Sequence, residues 1–205
     1  MKVLMINGSP RRGGNTALAL EEMKKVFDSE GIEVDIVELG NKDIRGCIAC
    51  GTCMQKGECV FGDIVNETSK KFSSADGMVV LSPVYYASPN GTVLSFLDRL
   101  FYSSRFDKSM KVGAAVAVAR RGGLSASFDV LNKYFTINGM PVASSYYWNS
   151  VHGGAKGEAA MDSEGMQTMR YLAQNMTFLM KSIALGKEQL GLPEREERIF
   201  TNFVR

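Results

Sequence analysis

The chain opens with the apolar run Met1-Lys-Val-Leu-Met-Ile6, which leads into the loop Asn7-Gly-Ser-Pro-Arg-Arg-Gly-Gly-Asn-Thr16. A short, nearly continuous apolar run is typical of a central strand that is covered on both faces. Apolar residues recur at helical spacing after Thr16, which predicts a helix. A strand, a glycine-rich loop and a helix in this order direct backbone N–H groups and the positive end of a helix dipole to one place, where a phosphate would fit.

Two common phosphate-binding motifs do not match this loop. A nucleotide triphosphatase loop requires a lysine directly after its second glycine. Gly8 and Gly13 have the required separation, but Gly14 occupies the lysine position. The dinucleotide fingerprint requires a second glycine two residues after the first, where this chain has Pro10.

The side chains of the loop are rich in hydrogen-bond donors. The candidate phosphate-binding residues are Ser9, Arg11, Asn15 and Thr16. Hydroxyl, amide and guanidinium donors suit a terminal monophosphate, such as the one that flavin mononucleotide (FMN) carries. The alternative is a loop that caps a helix and binds no ligand.

The composition is that of one α/β domain spanning residues 1–205. Of 205 residues 45% are hydrophobic, and 24 Lys and Arg residues face 22 Asp and Glu residues. No long basic stripe is visible, which argues against a nucleic acid as partner. No window approaches the ~20 apolar residues of a membrane span, and the run before Asn7 is too short for a signal peptide. We therefore expect a cytoplasmic protein without a membrane partner.

Further strands and helices alternate along the chain. Strands are expected at 32–39, 78–81, 112–118 and 140–147. Helices are expected at 64–73, from about 92, at 128–138 and at 166–186. Strands separated by helices form a parallel sheet with right-handed crossovers. We therefore expect a flavodoxin-like, doubly wound α/β fold of five parallel strands in the order 2-1-3-4-5.

Three unusual loops, 9–16, 83–91 and 120–123, follow strands 1, 3 and 4 of this predicted sheet. The carboxyl ends of these strands border the ligand crevice of such a fold. Tyr85 and Tyr86 put aromatic area on the second loop, and a flat tricyclic ring could pack there. The alternative is an aromatic turn that a neighbouring subunit buries.

The third loop combines Arg120 and Arg121 with Gly122 and Gly123. The backbone at these glycines could approach the flavin edge, where positive charge would stabilise a reduced flavin. Two other interpretations remain: solvated loop charges, and a clamp for a nicotinamide phosphate. Arg120, Gly122 and Gly123 are candidate cofactor-binding residues on the first interpretation.

Four motifs resemble the NAD(P)H-dependent FMN reductase family of flavodoxin-like proteins. They are Asn7–Thr16, Ala75-Asp-Gly-Met-Val79, Ser82-Pro-Val-Tyr-Tyr86 and Phe96-Leu-Asp-Arg-Leu100. The similarity spans roughly residues 1–125. With its cysteine segment included, the chain most resembles the iron–sulfur flavoprotein branch. Its last residues, Thr201-Asn-Phe-Val-Arg205, also resemble the tail of that branch.

This resemblance implies roles for individual residues. The FMN phosphate would be held by Ser9, Arg11, Asn15 and Thr16, with Ala17 also at the cofactor. The isoalloxazine would be flanked by Pro83, Val84, Tyr85 and Tyr86. Asp98 and Arg99 are expected to form a structural ion pair within one helix, of little worth if exposed.

All four cysteines lie in the segment Cys47-Ile-Ala-Cys50-Gly-Thr-Cys53-Met-Gln-Lys-Gly-Glu-Cys59, about 46–62, which we interpret as an insertion. In a reducing compartment such a cluster indicates metal or redox chemistry before structural disulfides. Ferredoxin-type clusters use the same two-residue spacing. A four-cysteine zinc site more often uses two separated pairs. The resemblance implies a [4Fe–4S] cluster on these cysteines; zinc, or thiols that bind nothing, are the alternatives.

The leading functional hypothesis is an FMN-dependent oxidoreductase. Its electrons would come from NAD(P)H or a ferredoxin-like donor and pass to a small-molecule or protein acceptor. The first alternative is an FMN-only quinone, nitro or azo reductase, and the second is an electron carrier or redox sensor without turnover. A homodimer or homotetramer is expected, because the tyrosine-rich loops and a Met-rich helix offer apolar surface.

Overall fold

The computed structural model describes residues 1–197 and 199–201. Its strands are β1 (Lys2–Asn7), β2 (Glu33–Glu38), β3 (Gly77–Tyr85), β4 (Ser88–Pro89), β5 (Val112–Ala119) and β6 (Ser150–His152). Its helices are α1 (Asn15–Ser29), α2 (Thr52–Lys56), α3 (Ile64–Ser74), α4 (Gly91–Ser103), α5 (Leu124–Thr136) and α6 (Ser163–Leu190), with a 3-10 turn at Glu158–Met161. Most of the tail motif expected at 201–205 lies outside the described residues.

The sheet is parallel along the path β2-β1-β3-β5-β6, and the short strand β4 pairs antiparallel with β3. The predicted doubly wound α/β architecture is confirmed. The predicted number and order of strands are wrong, because the sheet has six strands and the short β4 precedes the last two strands of the parallel path. Strand β3 continues past its expected end at Leu81 and turns back at Tyr86 and Ala87. Both turn residues have positive φ, which the two-residue turns of β-hairpins require.

The last strand lies later in the chain than expected. The segment predicted at 140–147 contributes an isolated bridge between Val142 and Gly113, and regular pairing with β5 begins only at Ser150. Between them the chain leaves the sheet. The chain returns to the sheet at the buried Asn149. Its side-chain NH2 donates to the Ala115 carbonyl, and its backbone carbonyl accepts from Ala117 N–H. A single polar side chain therefore sets where the edge strand resumes.

Strand β1 is buried on both faces of the sheet. Val3 and Met5 pack in one core with α1 and α6, while Leu4 and Ile6 pack in a second core with α3, α4 and α5. Residues Val3–Ile6 are fully buried. The apolar run that opens the sequence therefore forms a central strand, as expected of a parallel sheet covered on both sides.

Strand β5 is built from small residues and is buried along its whole length. Gly113 lies in β5 against the ring of Phe135, which α5 supplies. Small side chains in the strand let the helix pack closely on the sheet. Among the residues that the structure describes, no helix combines the length and apolar character needed to cross a membrane.

Replacing Gly113 with alanine is expected to lower the free energy of unfolding by about 1–3 kcal/mol, the usual cost of overpacking a core. The added Cβ would stand 2.5 Å from Phe135 Cγ, so the helix or the ring must move. Urea unfolding followed by circular dichroism measures the change.

Gly186→Ala in α6 is the matched control, because no atom lies within 4 Å of the added Cβ. Alanine is expected there to raise stability by roughly 0.5–1 kcal/mol, since glycine is a poor helix former. Equal effects of the two substitutions would contradict the packing argument.

Candidate functional site: a crevice at the sheet edge and a cysteine segment

A cavity of about 580 Å³ opens at the carboxyl ends of β1, β3 and β5. The loops predicted to surround a ligand contribute Ser9, Arg11, Asn15, Thr16, Pro83, Val84, Tyr85 and Arg120 to its lining. Its volume is in the range of cofactor sites. The structure therefore brings eight of the twelve predicted cofactor-binding residues to one crevice.

The loop after β1 is held by its own hydrogen bonds. Ser9 N–H donates to Asn7 Oδ1 at 3.0 Å, and Arg11 N–H donates to Ser9 Oγ at 3.2 Å. Gly14 N–H closes the loop on the carbonyl of Arg11 at 3.2 Å. These bonds fix the loop shape before any ligand arrives.

Helix α1 begins without a side-chain cap. Gly14 is its N-cap residue, and the first bond back to the cap is the one from Leu18 N–H to the Gly14 carbonyl. The first N–H groups of a helix have no hydrogen-bond partner within it, and Gly14, Asn15 and Thr16 line the crevice. A helix N-terminus of this kind favours an anionic ligand.

Asn15 makes contacts that the sequence did not predict. Its side-chain NH2 donates to the Ala155 carbonyl at 2.9 Å, and its Oδ1 accepts from Gly157 N–H at 3.0 Å and Ala159 N–H at 3.2 Å. The side chain therefore ties α1 to the segment after β6. A phosphate-binding role for Asn15 stays a prediction.

A fourth loop, residues 153–158, completes the crevice and was missed by sequence reasoning. The Glu158 carboxylate accepts from Gly154 N–H at 2.7 Å and Ala155 N–H at 2.8 Å, and these bonds, with the charge of Arg120, lower the pKa of Glu158. The signal was the pair Gly153-Gly154. It was overlooked because the last strand was expected at 140–147, too early for its loop to include these glycines.

Four of the predicted cofactor residues lie outside the cavity lining: Ala17, Tyr86, Gly122 and Gly123. Tyr86 is fully exposed at 104% of its reference area, because it forms the tip of the β3–β4 turn. Gly123 is the N-cap of α5, and a Cβ there would stand 2.6 Å from Ala87 Cα. Gly123 therefore packs the third loop against the second.

The four cysteines line one small apolar cavity together with Phe61, Tyr102 and Arg99. Cys47 and Cys50 are exposed, Cys53 is buried and Cys59 is half-buried. Cys53 lies in the one-turn helix α2, between Gly51 and Gly57, which both have positive φ. The Cys50 sulfur lies 3.3 Å from Thr52 Oγ1, and this contact lowers the pKa of the Cys50 thiol.

Within the described part of the chain, no three His, Cys, Asp or Glu side chains converge as a single metal ion requires. An iron–sulfur cubane makes a different demand, because each cysteine binds a separate iron and the four sulfurs surround a space. Four thiols around one cavity, two of them beside hydrogen-bonding groups, are a donor set that fits such a cluster.

Arg99 does not form the expected ion pair with Asp98. Asp98 accepts instead from the hydroxyl of Tyr134, and this bond together with burial raises the pKa of Tyr134. The Arg99 side chain, 1% exposed, makes a bidentate ion pair with Asp63 at 2.7 and 2.9 Å. The expectation was wrong because successive helical residues diverge by about 100°, so neighbours do not face each other.

The remaining contacts of Arg99 join α4 to the cysteine segment. Its Nε–H donates to Cys59 Sγ at 3.3 Å, and a terminal N–H donates to the Arg45 carbonyl at 3.3 Å. The guanidinium carbon lies 4.7 Å from the centre of the Phe61 ring. Burial alone would raise the pKa of Asp63, but the bonds from Arg99 and Val65 N–H hold it below its usual value.

A doubly wound parallel sheet with a crevice where the strand order reverses is the flavodoxin-like fold. The model of the NADPH-dependent FMN reductase family matches residues 1–155. The chain belongs to this family of FMN-binding oxidoreductases, and its relatives place it with the iron–sulfur flavoproteins.

Two curated relatives match almost from end to end. An iron–sulfur flavoprotein of Methanocaldococcus jannaschii is 34% identical over 195 residues, which cover 89% of this chain and 99% of that protein. An iron–sulfur flavoprotein of Methanosarcina thermophila is 31% identical over 194 residues, which cover 92% of this chain and 100% of that protein.

Solved structures confirm the flavodoxin-like fold. RosB, crystallised with 8-demethyl-8-formylriboflavin-5′-phosphate, superposes with a TM-score of 0.69 at 15% identity, over 100% of this chain and 94% of that one. A flavodoxin from the domain Archaea superposes with a TM-score of 0.60 at 15% identity, over 88% of this chain and 99% of that one.

Replacing Asn15 with alanine is expected to loosen the 153–158 loop, because two hydrogen bonds to its backbone and a third to Ala159 N–H are lost. Amide hydrogen exchange of this loop should rise, and the free energy of unfolding should fall by about 1–3 kcal/mol. Mass spectrometry of peptides after exchange localises the effect. The control is Asn41→Ala in the exposed turn after β2. Unchanged exchange at 153–158 in the Asn15 variant would show that the loop is held by other contacts.

Proposed function

We propose that this protein carries electrons from NAD(P)H or a ferredoxin-like donor through FMN and a [4Fe–4S] cluster to a small-molecule or protein acceptor. The observation that carries the proposal is the crevice of about 580 Å³, in which a preformed phosphate loop, a cationic rim and an aromatic loop meet. FMN needs these three features together: an anion site, charge near its ring and a flat apolar surface.

The phosphate end of FMN fits the loop after β1. Ser9, Arg11 and the start of α1, from Asn15 to Thr16, all line the crevice. Hydrogen bonds between charged partners are roughly twice as strong as neutral ones, so Arg11 is expected to contribute most to the discrimination of FMN from riboflavin.

The ring end fits the loops after β3 and β5. Pro83, Val84 and Tyr85 offer an apolar wall, and Arg120 brings positive charge to the rim. A bound flavin supplies an exchange between two-electron and one-electron chemistry. These residues would hold and orient the flavin ring. The backbone turn at Tyr86 and Ala87 fixes the position of Tyr85, and the charge of Arg120 would favour a negatively charged flavin.

The cluster would be held by Cys47, Cys50, Cys53 and Cys59, which line a single cavity. The Nε–H of Arg99 donates to the Cys59 sulfur, and the Cys50 sulfur lies beside the Thr52 hydroxyl, so two of the four sulfurs have polar groups at hydrogen-bond distance. A bound cluster supplies one-electron transfer. This pairing gives the flavin a partner that takes its electrons singly.

A second candidate is an FMN-only reductase, which the match of residues 1–155 to the NADPH-dependent FMN reductase family supports. An NADPH azoreductase of a Bacillus species is 28% identical over 128 residues, 62% of this chain.

We also propose self-association as a homodimer or homotetramer. Tyr146, Tyr147, Trp148 and Phe178 are exposed apolar side chains that such an interface could cover.

Replacing Arg11 with alanine is expected to weaken FMN binding about tenfold or more, the worth of one hydrogen bond to a charged group. Riboflavin binding should change little, because riboflavin has no phosphate. Quenching of flavin fluorescence on titration measures both dissociation constants. Arg12→Ala is the matched control, since Arg12 is exposed and stands outside the cavity lining. An equal loss for the two flavins would mean that Arg11 contacts another part of the ligand.

Protein purified without oxygen is expected to contain iron and acid-labile sulfide in equal amounts, and Cys53→Ser should lose most of both. Met54→Leu, at an exposed position of the same helix, should retain them. Chemical iron and sulfide analysis beside the visible spectrum checks this. Flavin bands without iron in the wild type would favour the FMN-only reductase. Steady-state NAD(P)H oxidation with an excess of acceptor separates either enzyme from a carrier without turnover.

A further inference from the structure

Arg99 is a buried charge whose donors all point at the cysteine segment or its border. It lies in the middle of α4, is 1% exposed, and has its guanidinium between Cys59, Asp63 and the Arg45 carbonyl. Burying a guanidinium costs several kcal/mol unless it is paired. Asp63 pairs with the two terminal nitrogens of the guanidinium, which leaves the Nε–H of Arg99 directed at the Cys59 sulfur.

We propose that Arg99 is a positioning residue that raises the reduction potential of the cluster held by Cys47, Cys50, Cys53 and Cys59, acting through its Nε–H bond to Cys59 Sγ. This inference rests on the proposed function, because it requires a cluster at these cysteines. Asp63, which pairs with the guanidinium, has the opposite charge and lowers the reduction potential of the cluster.

The physical argument concerns the one electron that a cluster accepts. Reduction adds a single negative charge that spreads onto the ligand sulfurs, and no covalent bond forms or breaks. A hydrogen bond to a ligand sulfur and a nearby positive charge both stabilise that added charge. Because Arg99 is shielded from water, solvent screens its charge less than it screens an exposed arginine.

Asp63 acts on the same charge with opposite sign. Its carboxylate binds both terminal nitrogens of Arg99 and is partly exposed, with 32% of its side chain open to solvent. The same carboxylate caps α3 by accepting from Val65 N–H at 3.1 Å. Asparagine is an equally good N-cap residue, so Asp63→Asn removes the charge and keeps the cap.

A purely structural role for Arg99 makes a different prediction. The side chain also stacks on Phe61 and holds the Arg45 carbonyl, so it fastens the cysteine segment to α4. Loss of such a fastener would reduce how much cluster the protein retains. It would not move the reduction potential of the cluster that remains, and it would not give the two variants opposite signs.

The experiment compares four variants of the full chain, prepared without oxygen and carrying FMN and cluster: Arg99→Gln, Arg99→Lys, Asp63→Asn and Arg105→Gln. Redox titration followed by visible and electron paramagnetic resonance spectra gives the midpoint potential of the cluster, with the flavin couple as internal reference. Arg105 is the matched control, because it is an exposed arginine that contacts Met54 in the same segment.

The expected result is a lower cluster potential in Arg99→Gln, a higher one in Asp63→Asn and a smaller decrease in Arg99→Lys, which keeps the charge without the Nε–H bond. Arg105→Gln should leave the potential unchanged. If Arg99→Gln does not fold, the rise in Asp63→Asn and the decrease in Arg99→Lys support the inference by themselves.

Two results would overturn the inference, and they differ in what else they overturn. Cluster-loaded variants with the wild-type potential, or with shifts of the same sign, refute the role of Arg99 and leave the proposed function standing. A wild-type protein that takes up no iron and sulfide under reconstitution refutes the cluster and the inference with it.

Discussion

The molecule depends on how closely β1 and β3 approach each other where both strands meet the crevice. Gly8 N–H donates to the Leu81 carbonyl at 2.8 Å, and a Cβ on Gly8 would stand 2.0 Å from Val93 Cγ2. No side chain at position 8 fits between the loop backbone and Val93. This contact holds the loop after β1 beside the loop after β3, so one glycine aligns two of the loops that line the crevice.

Helix α4 connects the crevice to the cysteine segment. Its N-cap Asn90 donates its backbone N–H to Ser82 Oγ and the Pro83 carbonyl, at the loop that lines the crevice. Arg99, about 14 Å further along the helix axis at 1.5 Å per residue, reaches Cys59 and Asp63. A rigid helix therefore sets the relation between the two sites, and side-chain packing on its inner face keeps it in place.

Periodicity predicted the parts of the fold that local burial decides. The parallel sheet, the crevice loops and most helices follow from apolar runs and glycine positions. A buried strand or helix face is visible in the spacing of its own apolar residues. The edge strand was misplaced, since the buried Asn149 decides where pairing with β5 resumes. The partners of Asn15 and Arg99 were also missed. Both reach residues at least 36 positions away, and no local pattern reports such contacts.

The sequence by itself determined the fold class, the glycine-rich loop after the first strand and the presence of a four-cysteine segment, because these depend on short-range spacing and residue type. Only the tertiary structure decided that the 153–158 loop lines the crevice, that Tyr86 is exposed to solvent and that Arg99 donates to the Cys59 sulfur. The reason is physical: a long polar side chain can meet many partners, and the packing of the whole chain selects the one within hydrogen-bond distance.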